Sequence, residues 1–311
     1  AEEYPATLYS INWLPLGGFV KIKGENGDDP APGSFGAKSF TRRLATIVAG
    51  VVMNVVLAAV LLGVGFMIGL PTDMEGFNDP RAIVVEQPAV MIQQVVPGSA
   101  ASNAGLTFGE KILKFNGQPV QSADKVVAAI KAGGLNPLTL SVEGKVGEVR
   151  DVQLTPVVTD GTPRVGVSLA NAGVVRYPWY IAIYKGALAA VFGLVNVFIA
   201  FYLLIKNLML GNGLLFAVSG PVGVAVAVGE SARLGFNYIL QTTAMISLSL
   251  AAINILPIPA LDGGRAFFII VEKIVGRKLP AKYEQLIHAF GFVALLLLIV
   301  VITWRDIAAL L

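Results

Sequence analysis

The sequence predicts a membrane protein: a multi-span α-helical bundle with a small α+β domain inserted between its helices. Of the 311 residues, 55% are hydrophobic and only 14% are charged, and the mean hydropathy is +0.72. This composition is typical of membrane-spanning chains and excludes an ordinary soluble globule. Charged residues return between positions 81 and 158, which marks the inserted domain.

The overall charge and the residue types present exclude several classes of function. The net charge of +3 is small and no basic cluster forms a nucleic-acid footprint, so no nucleic-acid partner is expected. The chain has no cysteines and therefore no disulfides, thiolate metal sites or cysteine nucleophiles. The partner that the composition does imply is the lipid bilayer.

The first 43 residues predict a β-hairpin followed by a loop. Apolar residues flank Gly17 and Gly18 within residues 8–23, which is typical of two short strands joined by a turn. Residues 24–37 are rich in Gly, Pro and Asp and predict the loop. The alternative is that this hairpin is an ordinary surface feature.

A first membrane span is predicted over residues 44–70, which carry no charge and are long enough to cross a bilayer. Lys38, Arg42 and Arg43 precede the span and place its start in the cytoplasm. Asn54 is polar in apolar surroundings, so its side chain is expected to face protein. A hydrogen bond between helices explains Asn54 at least as well as a functional role does.

Residues 81–158 predict a small α+β domain. The helical spacing of Val126, Val127 and Ile130 predicts a helix over residues 122–132. Short apolar segments between turns predict strands over residues 90–95, 111–115, 138–142 and 149–154. The size is ordinary for an independent domain.

Two further spans are predicted over residues 234–261 and 286–304, within the last unit at 234–311. A basic loop with Lys273 and Arg277 separates these spans, and basic loops stay in the cytoplasm. If both basic loops are cytoplasmic, the first span leaves the cytoplasm and residues 234–261 return to it. The α+β domain then lies on the extracytoplasmic side.

A further apolar stretch, over residues 187–205, is not needed to connect the two basic loops across the membrane. It is uncharged between Lys185 and Lys206, so its length alone permits a span. Because two crossings already join the basic loops, this stretch is expected to be interfacial or re-entrant. It would belong to a membrane-associated amphipathic segment over residues 177–233.

The most informative stretch runs from Asn254 to Gly264, with the sequence Asn-Ile-Leu-Pro-Ile-Pro-Ala-Leu-Asp-Gly-Gly. Asp262 is acidic at membrane depth, where a carboxylate usually pairs, protonates or binds a cation. Pro257 and Pro259 interrupt the helix, and broken backbone at this depth is tolerated only inside protein or beside water. Asp262 is the leading candidate functional residue, and a helix N-cap is an equally supported alternative on spacing alone.

Residues 96–117 resemble a bacterial PDZ domain, from Val-Pro-Gly-Ser through Ala-Gly-Leu to Asn-Gly, with Glu110 where an Asp is usual. PDZ domains bind extended peptides by adding a strand to an exposed sheet edge, which is expected here near residues 90–95. The implied partner is a peptide or a newly formed C-terminus in the PDZ groove. A structural spacer that binds nothing is the alternative.

Other passages resemble the bacterial site-2 protease family of intramembrane zinc metalloproteases. The motif over residues 254–264 is the most specific and is similar to the family's Leu-Asp-Gly motif. The others are residues 14–21, similar to its re-entrant β-hairpin; residues 49–54, similar to its Ala-Gly-Pro-x-x-Asn span with Val51 in place of proline; and residues 219–223, similar to its Ser-Gly-Pro motif. The chain is identified as a member of this family.

The resemblance implies a bundle of membrane helices around a buried Zn²⁺, held by two histidines of an HExxH helix and by the Asp of Leu-Asp-Gly, here Asp262. A catalytic zinc needs three protein ligands and an open position for water. The substrate-binding residues that the resemblance implies are Gly17 and Gly18 of the hairpin, Asn54, Asn254, Pro257 and Pro259.

The sequence departs from the family in one important respect: the HExxH motif is absent from the 311 residues. His288 is the sole histidine and cannot make a two-histidine site. Glu284 and His288 are four residues apart on one helical face, but an interfacial histidine is the favoured interpretation. In the family HExxH precedes the hairpin, so the sequence is expected to be N-terminally incomplete and inactive as given; a shortened, inactive relative is the other account.

The predicted function is regulated intramembrane proteolysis: cleavage of a single-span membrane protein in the bacterial inner (cytoplasmic) membrane, with the PDZ domain as an extracytoplasmic substrate filter. The alternative is a catalytically inactive, membrane-anchored PDZ module that binds peptides without zinc. A transporter with a broken helix ranks last, because no inverted repeat is visible.

Overall fold

A computed structural model describes residues 22–24, 31, 33–96, 98–144, 147–159, 161–210, 219–277 and 280–308. The helices are α1 (Phe40–Ile68), α2 (Ala100–Asn103), α3 (Ala123–Gly133), α4 (Trp179–Met209), α5 (Pro221–Leu234), α6 (Phe236–Ile255), α7 (Asp262–Val275) and α8 (Ala281–Ala308). The strands are β1 (Leu70–Asp73), β2 (Ile83–Val95), β3 (Lys111–Phe115), β4 (Gln118–Pro119), β5 (Leu138–Glu143), β6 (Val149–Leu154), β7 (Val157–Thr159), β8 (Thr162–Arg164) and β9 (Val167–Arg176). The predicted hairpin with Gly17 and Gly18 lies outside the described residues.

Within those ranges, four helices are long and apolar enough to cross a membrane: α1, α4, α6 and α8. Three of them, α1, α6 and α8, lie where the apolar runs of the sequence predict spans. Helix α6 ends at Ile255, earlier than the predicted span, and the next residue has extended backbone. The reason is Pro257, whose ring prevents the helix from continuing past it.

Residues 187–205 lie inside α4, which is a continuous 31-residue helix. The interfacial or re-entrant placement expected for them stays a prediction. Ala182, Gly186 and Ala190 are buried at a spacing of four residues. These small residues form a stripe that lets two helix backbones approach closely, and α1 supplies the partner stripe at Gly63. Helix α4 is therefore part of the helical bundle.

Tyr177, just before α4, and Ser219, just before α5, lie on the same side of the helical bundle. Tyr177, just before α4, packs edge-on against Phe66 near the end of α1, with ring centroids 5.7 Å apart. Ser219, before α5, lines a cavity together with Pro71 and Thr72 of β1. Both residues thus lie where the helices meet the strands.

A strand-rich unit connects α1 to α4. Its main sheet is antiparallel, with the strand order β1-β9-β2-β3-β5-β6 and β4 paired to β3. Ile92, Leu140 and Val142 are fully buried in its core, against α3. The unit is larger than the predicted 81–158, because β1 precedes that range and β9 follows it.

The sheet edge lies only partly where the sequence predicts it. Residues of β2 near 90–95 are paired with β9 along their length, and Val90 and Met91 also pair with β3. Val90 and Met91 therefore have a strand on each side, whereas residues 94 and 95 pair with β9 alone, so the expected edge is present in only part of that range. Strand β1 pairs only with residues 172–175 of β9, so in the described part of the chain Val167–Ala170 of β9 have no strand on their other side.

Asp79 connects the root of the strand-rich unit to α4. Its carboxylate accepts hydrogen bonds from Lys185 Nζ at 2.7 Å and from Arg81 Nε at 3.1 Å. The Lys185 ammonium, followed by the Arg81 guanidinium, holds the pKa of Asp79 well below its usual range. Lys185 also lies over the ring of Tyr177, 5.3 Å from its centroid. The loop after β1 is thereby tied to the first turns of α4.

The close contact between α1 and α4 predicts that Gly186→Ala destabilises the protein. A Cβ atom on Gly186 would lie 2.6 Å from the carbonyl oxygen of Ala59 and 2.5 Å from Cα of Gly63, so the helices must separate. Overpacking of this kind costs about 1–3 kcal/mol. The expected result is a lower midpoint of thermal unfolding in detergent.

The matched control is Gly229→Ala in α5, where a Cβ atom would meet nothing within 4 Å. This change is expected to leave the midpoint unchanged or raise it, because alanine favours a helix over glycine. Equal midpoints for the two variants would show that the α1–α4 contact is not tight.

Candidate functional site

Asp262 is the first residue of α7 and follows a break in the helical backbone. Helix α6 ends at Ile255, and residues 256–261 form a turn before α7 begins. The N-cap of α7 is Leu261, and no side chain caps the helix. Asp262 is therefore not the N-cap that the sequence left open as an alternative. Its position in the first turn is favourable for a carboxylate, because the helix dipole is positive there.

Gly263 and Gly264 make the turn before α7 tight. A Cβ atom on Gly263 would lie 2.5 Å from the carbonyl carbon of Ile255, and one on Gly264 would lie 2.9 Å from that of Ile258. Larger residues would push the start of α7 away from the end of α6. The Gly-Gly pair thus fixes where the Asp262 side chain begins.

His288 supports the same turn from α8. Ala260 has a left-handed backbone conformation, with φ +76°, and its N–H donates to His288 Nδ1 at 2.8 Å. This hydrogen bond assigns the proton of the neutral ring to Nε2, which is buried without a partner among the described residues. The His288 ring also lies 5.5 Å from that of Phe268. His288 is therefore a structural residue, more enclosed than the interfacial histidine that the sequence predicts.

The polar residues singled out in the sequence come together where α1, α6 and α7 meet. Asp262 Oδ2 lies 3.9 Å from the position that a Cβ atom on Gly50 would take, and Asn54 is one turn further along α1. Ser247 of α6 donates to the carbonyl oxygen of Asn54 at 2.9 Å. Asn254 is two turns after Ser247, so it lies on the same face of α6. The hydrogen bond between helices that was the alternative for Asn54 exists, but through its backbone.

The side chains of Asp262, Asn54 and Asn254 have no hydrogen bond or ion pair with any other residue that the structure describes. All three are half-buried. Their polar atoms remain accessible, since the buried side-chain atoms without a partner in the described residues are those of Arg43 and His288, so the three side chains are free to bind a ligand or substrate. Pro257 and Pro259 lie in the turn between Asn254 and Asp262, which keeps backbone groups of the turn outside the helix.

The described residues do not form a complete zinc site. No group of three or more His, Cys, Asp or Glu side chains that would hold a metal ion occurs among them. At the helix junction the only such donor identified is Asp262, whereas a catalytic zinc needs three protein ligands. His288, the sole histidine in the sequence, uses Nδ1 to accept the Ala260 N–H. Asp262 is therefore suited to be one zinc ligand, but the described residues do not supply the other two.

A cavity of about 900 Å³ lies between α6 and the strand-rich unit. Tyr238, Gln241 and Ile253 are among the α6 residues that line it, so it extends along α6 to the residue before Asn254. Its opposite wall includes Met91 and Phe108 of the strand-rich unit. Sequence reasoning missed this feature, because the wall is formed by residues distant in sequence.

The Ser-Gly-Pro motif is held by a residue that the sequence did not single out. The backbone N–H groups of Gly220 and Gly223 both donate to Asp306 Oδ2, at 2.8 Å each. Asp306 near the end of α8 thus satisfies the first N–H groups of α5. Two features of the sequence could have predicted this contact: an acidic residue at the end of an apolar span, and a Gly-Pro pair that starts a helix.

Residues 2–298 match the family model described as peptidase family M50. The chain belongs to this family. It is the site-2 protease family, so the identification made from the motifs is confirmed, and the zinc dependence inferred from it is a property of the family. The match also agrees with a membrane protein, since four described helices are candidate spans.

Several bacterial relatives carry names that describe zinc metalloproteases. The chain is 31% identical to one from Clostridium perfringens over 97% of this chain and 84% of that protein. It is 32% identical to zinc metalloprotease RasP of Geobacillus kaustophilus and 31% identical to regulator of sigma-W protease RasP of Bacillus subtilis. In both cases it covers 60% of the relative's length.

Among solved structures, the PDZ domain of an SdrC-like protein from Listeria innocua is similar to part of the chain, with a TM-score of 0.24 and 18% identity. The match covers 26% of this chain and 92% of that domain.

The hydrogen bond to His288 predicts that His288→Leu loosens the turn before Asp262. The substitution leaves the Ala260 N–H without its acceptor, which costs about 1–3 kcal/mol. The expected result is faster hydrogen–deuterium exchange at the Ala260 amide. Phe290→Leu, on the same helix at a side chain that is 77% exposed, is the matched control and should leave this exchange unchanged. Equal exchange in both variants would show that the hydrogen bond to His288 does not stabilise the turn.

Proposed function

We propose that the protein is an intramembrane zinc metalloendopeptidase that cleaves single-span membrane proteins in regulated intramembrane proteolysis. The observation that supports this most is the partnerless carboxylate of Asp262 at a broken helix, in a chain of peptidase family M50. Asp262 would be one zinc ligand, and the others must come from residues other than those described. Zinc, when bound, polarises a scissile carbonyl and activates water.

The proposed orientation places the basic loops in the cytoplasm of a bacterial cell and the strand-rich unit outside it, with the inner membrane between them. It is supported by the ion pair of Arg43 with Glu272, at 3.1 Å, which brings the first turn of α1 and the end of α7 together. Basic loops favour the cytoplasm. The strand-rich unit begins at Leu70, at the opposite end of α1.

The substrate would approach the site along α6. The cavity beside α6 extends towards Asn254, and its lining mixes polar residues such as Gln241 with apolar ones such as Met245. A substrate helix must unwind before its amides are accessible, and unwound backbone needs hydrogen-bond partners. Asn54 and Asn254 have free amide groups to supply, and the turn with Pro257 and Pro259 would hold the other side of the segment. Gly17 and Gly18, proposed as an edge strand for the substrate, lie outside the described residues.

The strand-rich unit would act as a PDZ domain that filters substrates by binding a peptide or a new C-terminus. Support comes from residues 167–170 of β9, which pair with β2 and have no strand on their other side among the described residues, since PDZ domains bind by adding a strand to such an edge. Helix α3 lies beside β9, because the Ala123 N–H donates to Asn171 Oδ1 at 2.8 Å. A strand next to a helix gives a bound peptide one wall and one hydrogen-bonding edge.

A membrane-anchored peptide-binding module without proteolytic activity is the second candidate. The specific observation in its favour is that the described residues provide one zinc ligand and no complete site. Zinc content separates the two functions, since the module needs none.

The proposal predicts that Asp262→Ala in the full-length protein abolishes zinc binding and cleavage. The loss of a carboxylate ligand should reduce cleavage of a tagged single-span substrate by on the order of 100-fold or more. Zinc per protein, measured by mass spectrometry of the purified protein, should fall in parallel.

Asp151→Ala removes an exposed carboxylate from β6, at the other side of the sheet from β9, and serves as the matched control, with unchanged zinc and cleavage. Undiminished cleavage by the Asp262 variant would remove this residue from the mechanism. Wild-type protein without zinc that still binds peptide would favour the non-enzymatic module.

The PDZ interpretation predicts that a photo-crosslinking residue at Ser168 captures a peptide. Ser168 is exposed and lies on the open side of β9, where an added strand would pair. Gln153 is exposed on β6, the last strand at the other side of the sheet, and is the matched position. We expect labelling of a biotinylated peptide with a free apolar C-terminus at position 168 only. Equal labelling at both positions would refute a specific groove at β9.

A further inference from the structure

A second cavity, of about 300 Å³, lies at the junction of α1 and α7, at the opposite end of α1 from the strand-rich unit. It is separate from the site at Asp262, because it lies against the last turns of α7 and not the first. Its lining residues are Phe40, Arg43, Ile269, Glu272, Lys273, Gly276 and Arg277.

The lining of this cavity is cationic. Arg43, Lys273 and Arg277 face a single carboxylate, that of Glu272, which already accepts a hydrogen bond from Arg43 at 3.1 Å. Lys273 and Arg277 have no hydrogen bond or ion pair with the other residues that the structure describes. Among the residues that the structure describes, two positive charges therefore remain without a partner around one small space, which favours an anion.

Arg43 adds a buried donor at the same place. Its Nη1 bonds Glu272, and its guanidinium carbon lies 5.4 Å from the centroid of the Phe35 ring. Its Nε is buried and has no acceptor among the described residues. A buried guanidinium N–H without an acceptor is costly, and a phosphate oxygen is an acceptor that guanidinium groups bind well.

Helix α7 presents an apolar stripe beside this cavity. Phe267, Ile270 and Ile274 are spaced three and four residues apart and are 50%, 40% and 79% exposed. Helix α7 has only 14 residues and is not among the candidate spans. An exposed apolar stripe that ends in basic residues is suited to contact acyl chains while the charged groups stay at the level of the headgroups.

We propose that this cavity binds the phosphate of an anionic glycerophospholipid, with the acyl chains against Phe267, Ile270 and Ile274. The cationic lining selects a negatively charged headgroup, and the stripe selects a lipid over a free phosphate ion. Basic pockets on the cytoplasmic side of membrane helices are suited to anionic lipid headgroups. The site rests on the charge and packing of α1 and α7, and it is independent of zinc and of proteolysis.

The test uses native mass spectrometry of the full-length protein with phosphatidylglycerol or phosphatidylcholine added to the detergent. We expect one phosphatidylglycerol molecule to be retained more strongly than phosphatidylcholine. The double variant Lys273→Gln, Arg277→Gln should weaken that retention by on the order of 20-fold, since each cation contributes about a fivefold change in binding. Both side chains are exposed, so the fold does not depend on them.

Lys131→Gln with Arg233→Gln is the matched control, because these two residues are also exposed and lie away from α7. The control should bind phosphatidylglycerol as the wild type does. Three outcomes would overturn the proposal: equal retention of the two lipids, unchanged binding in the α7 variant, or displacement of phosphatidylglycerol by millimolar inorganic phosphate. The last result would identify a site for free phosphate instead of a lipid.

Discussion

When a helix breaks inside a membrane bundle, the backbone groups that leave the helix need other hydrogen-bond partners. The site around Asp262 depends on the partners that this chain provides. The break follows Ile255, and one freed N–H, that of Ala260, is accepted by His288 from another helix. Glycines at 263 and 264 let α7 start directly against the broken turn. These contacts position a carboxylate where an uninterrupted helix would present only apolar side chains. Without them the turn would pay the cost of unsatisfied backbone groups.

Helix α1 organises the rest of the bundle because different faces and turns of it contact different partners. Gly50 lies next to Asp262, the carbonyl oxygen of Asn54 accepts a hydrogen bond from Ser247 of α6, and Gly63 lies in close contact with Gly186 of α4. Small or polar residues occur at each contact, as expected when lipid provides no hydrophobic drive for helix association. The same helix leads into β1, so the strand-rich unit is joined directly to the helix that faces the site.

The spans and the leading site residue were accessible from sequence because each depends on local composition. An uncharged run of sufficient length predicts α1, α6 and α8, and an acidic residue between prolines and glycines singles out Asp262. What sequence reasoning missed depends on distant contacts. His288 meets Ala260 across 28 residues, and β9 pairs with β2 across more than seventy. The packing of α4 against α1 was not accessible from sequence, because its small-residue stripe has meaning only beside Gly63.

The position of Asp262 along the bundle is set by two contacts that α7 makes with α1. Asp262 at the start of α7 lies next to Gly50, and Glu272 near its end pairs with Arg43. The two points are about 10 Å apart along α1 and about 15 Å apart along α7, at a rise of 1.5 Å per residue. A rod held at two points cannot slide or pivot freely, so the ion pair at the basic end helps to fix the carboxylate at the other end. The charges at the end of α7 and the half-buried carboxylate at its start therefore belong to one rigid element.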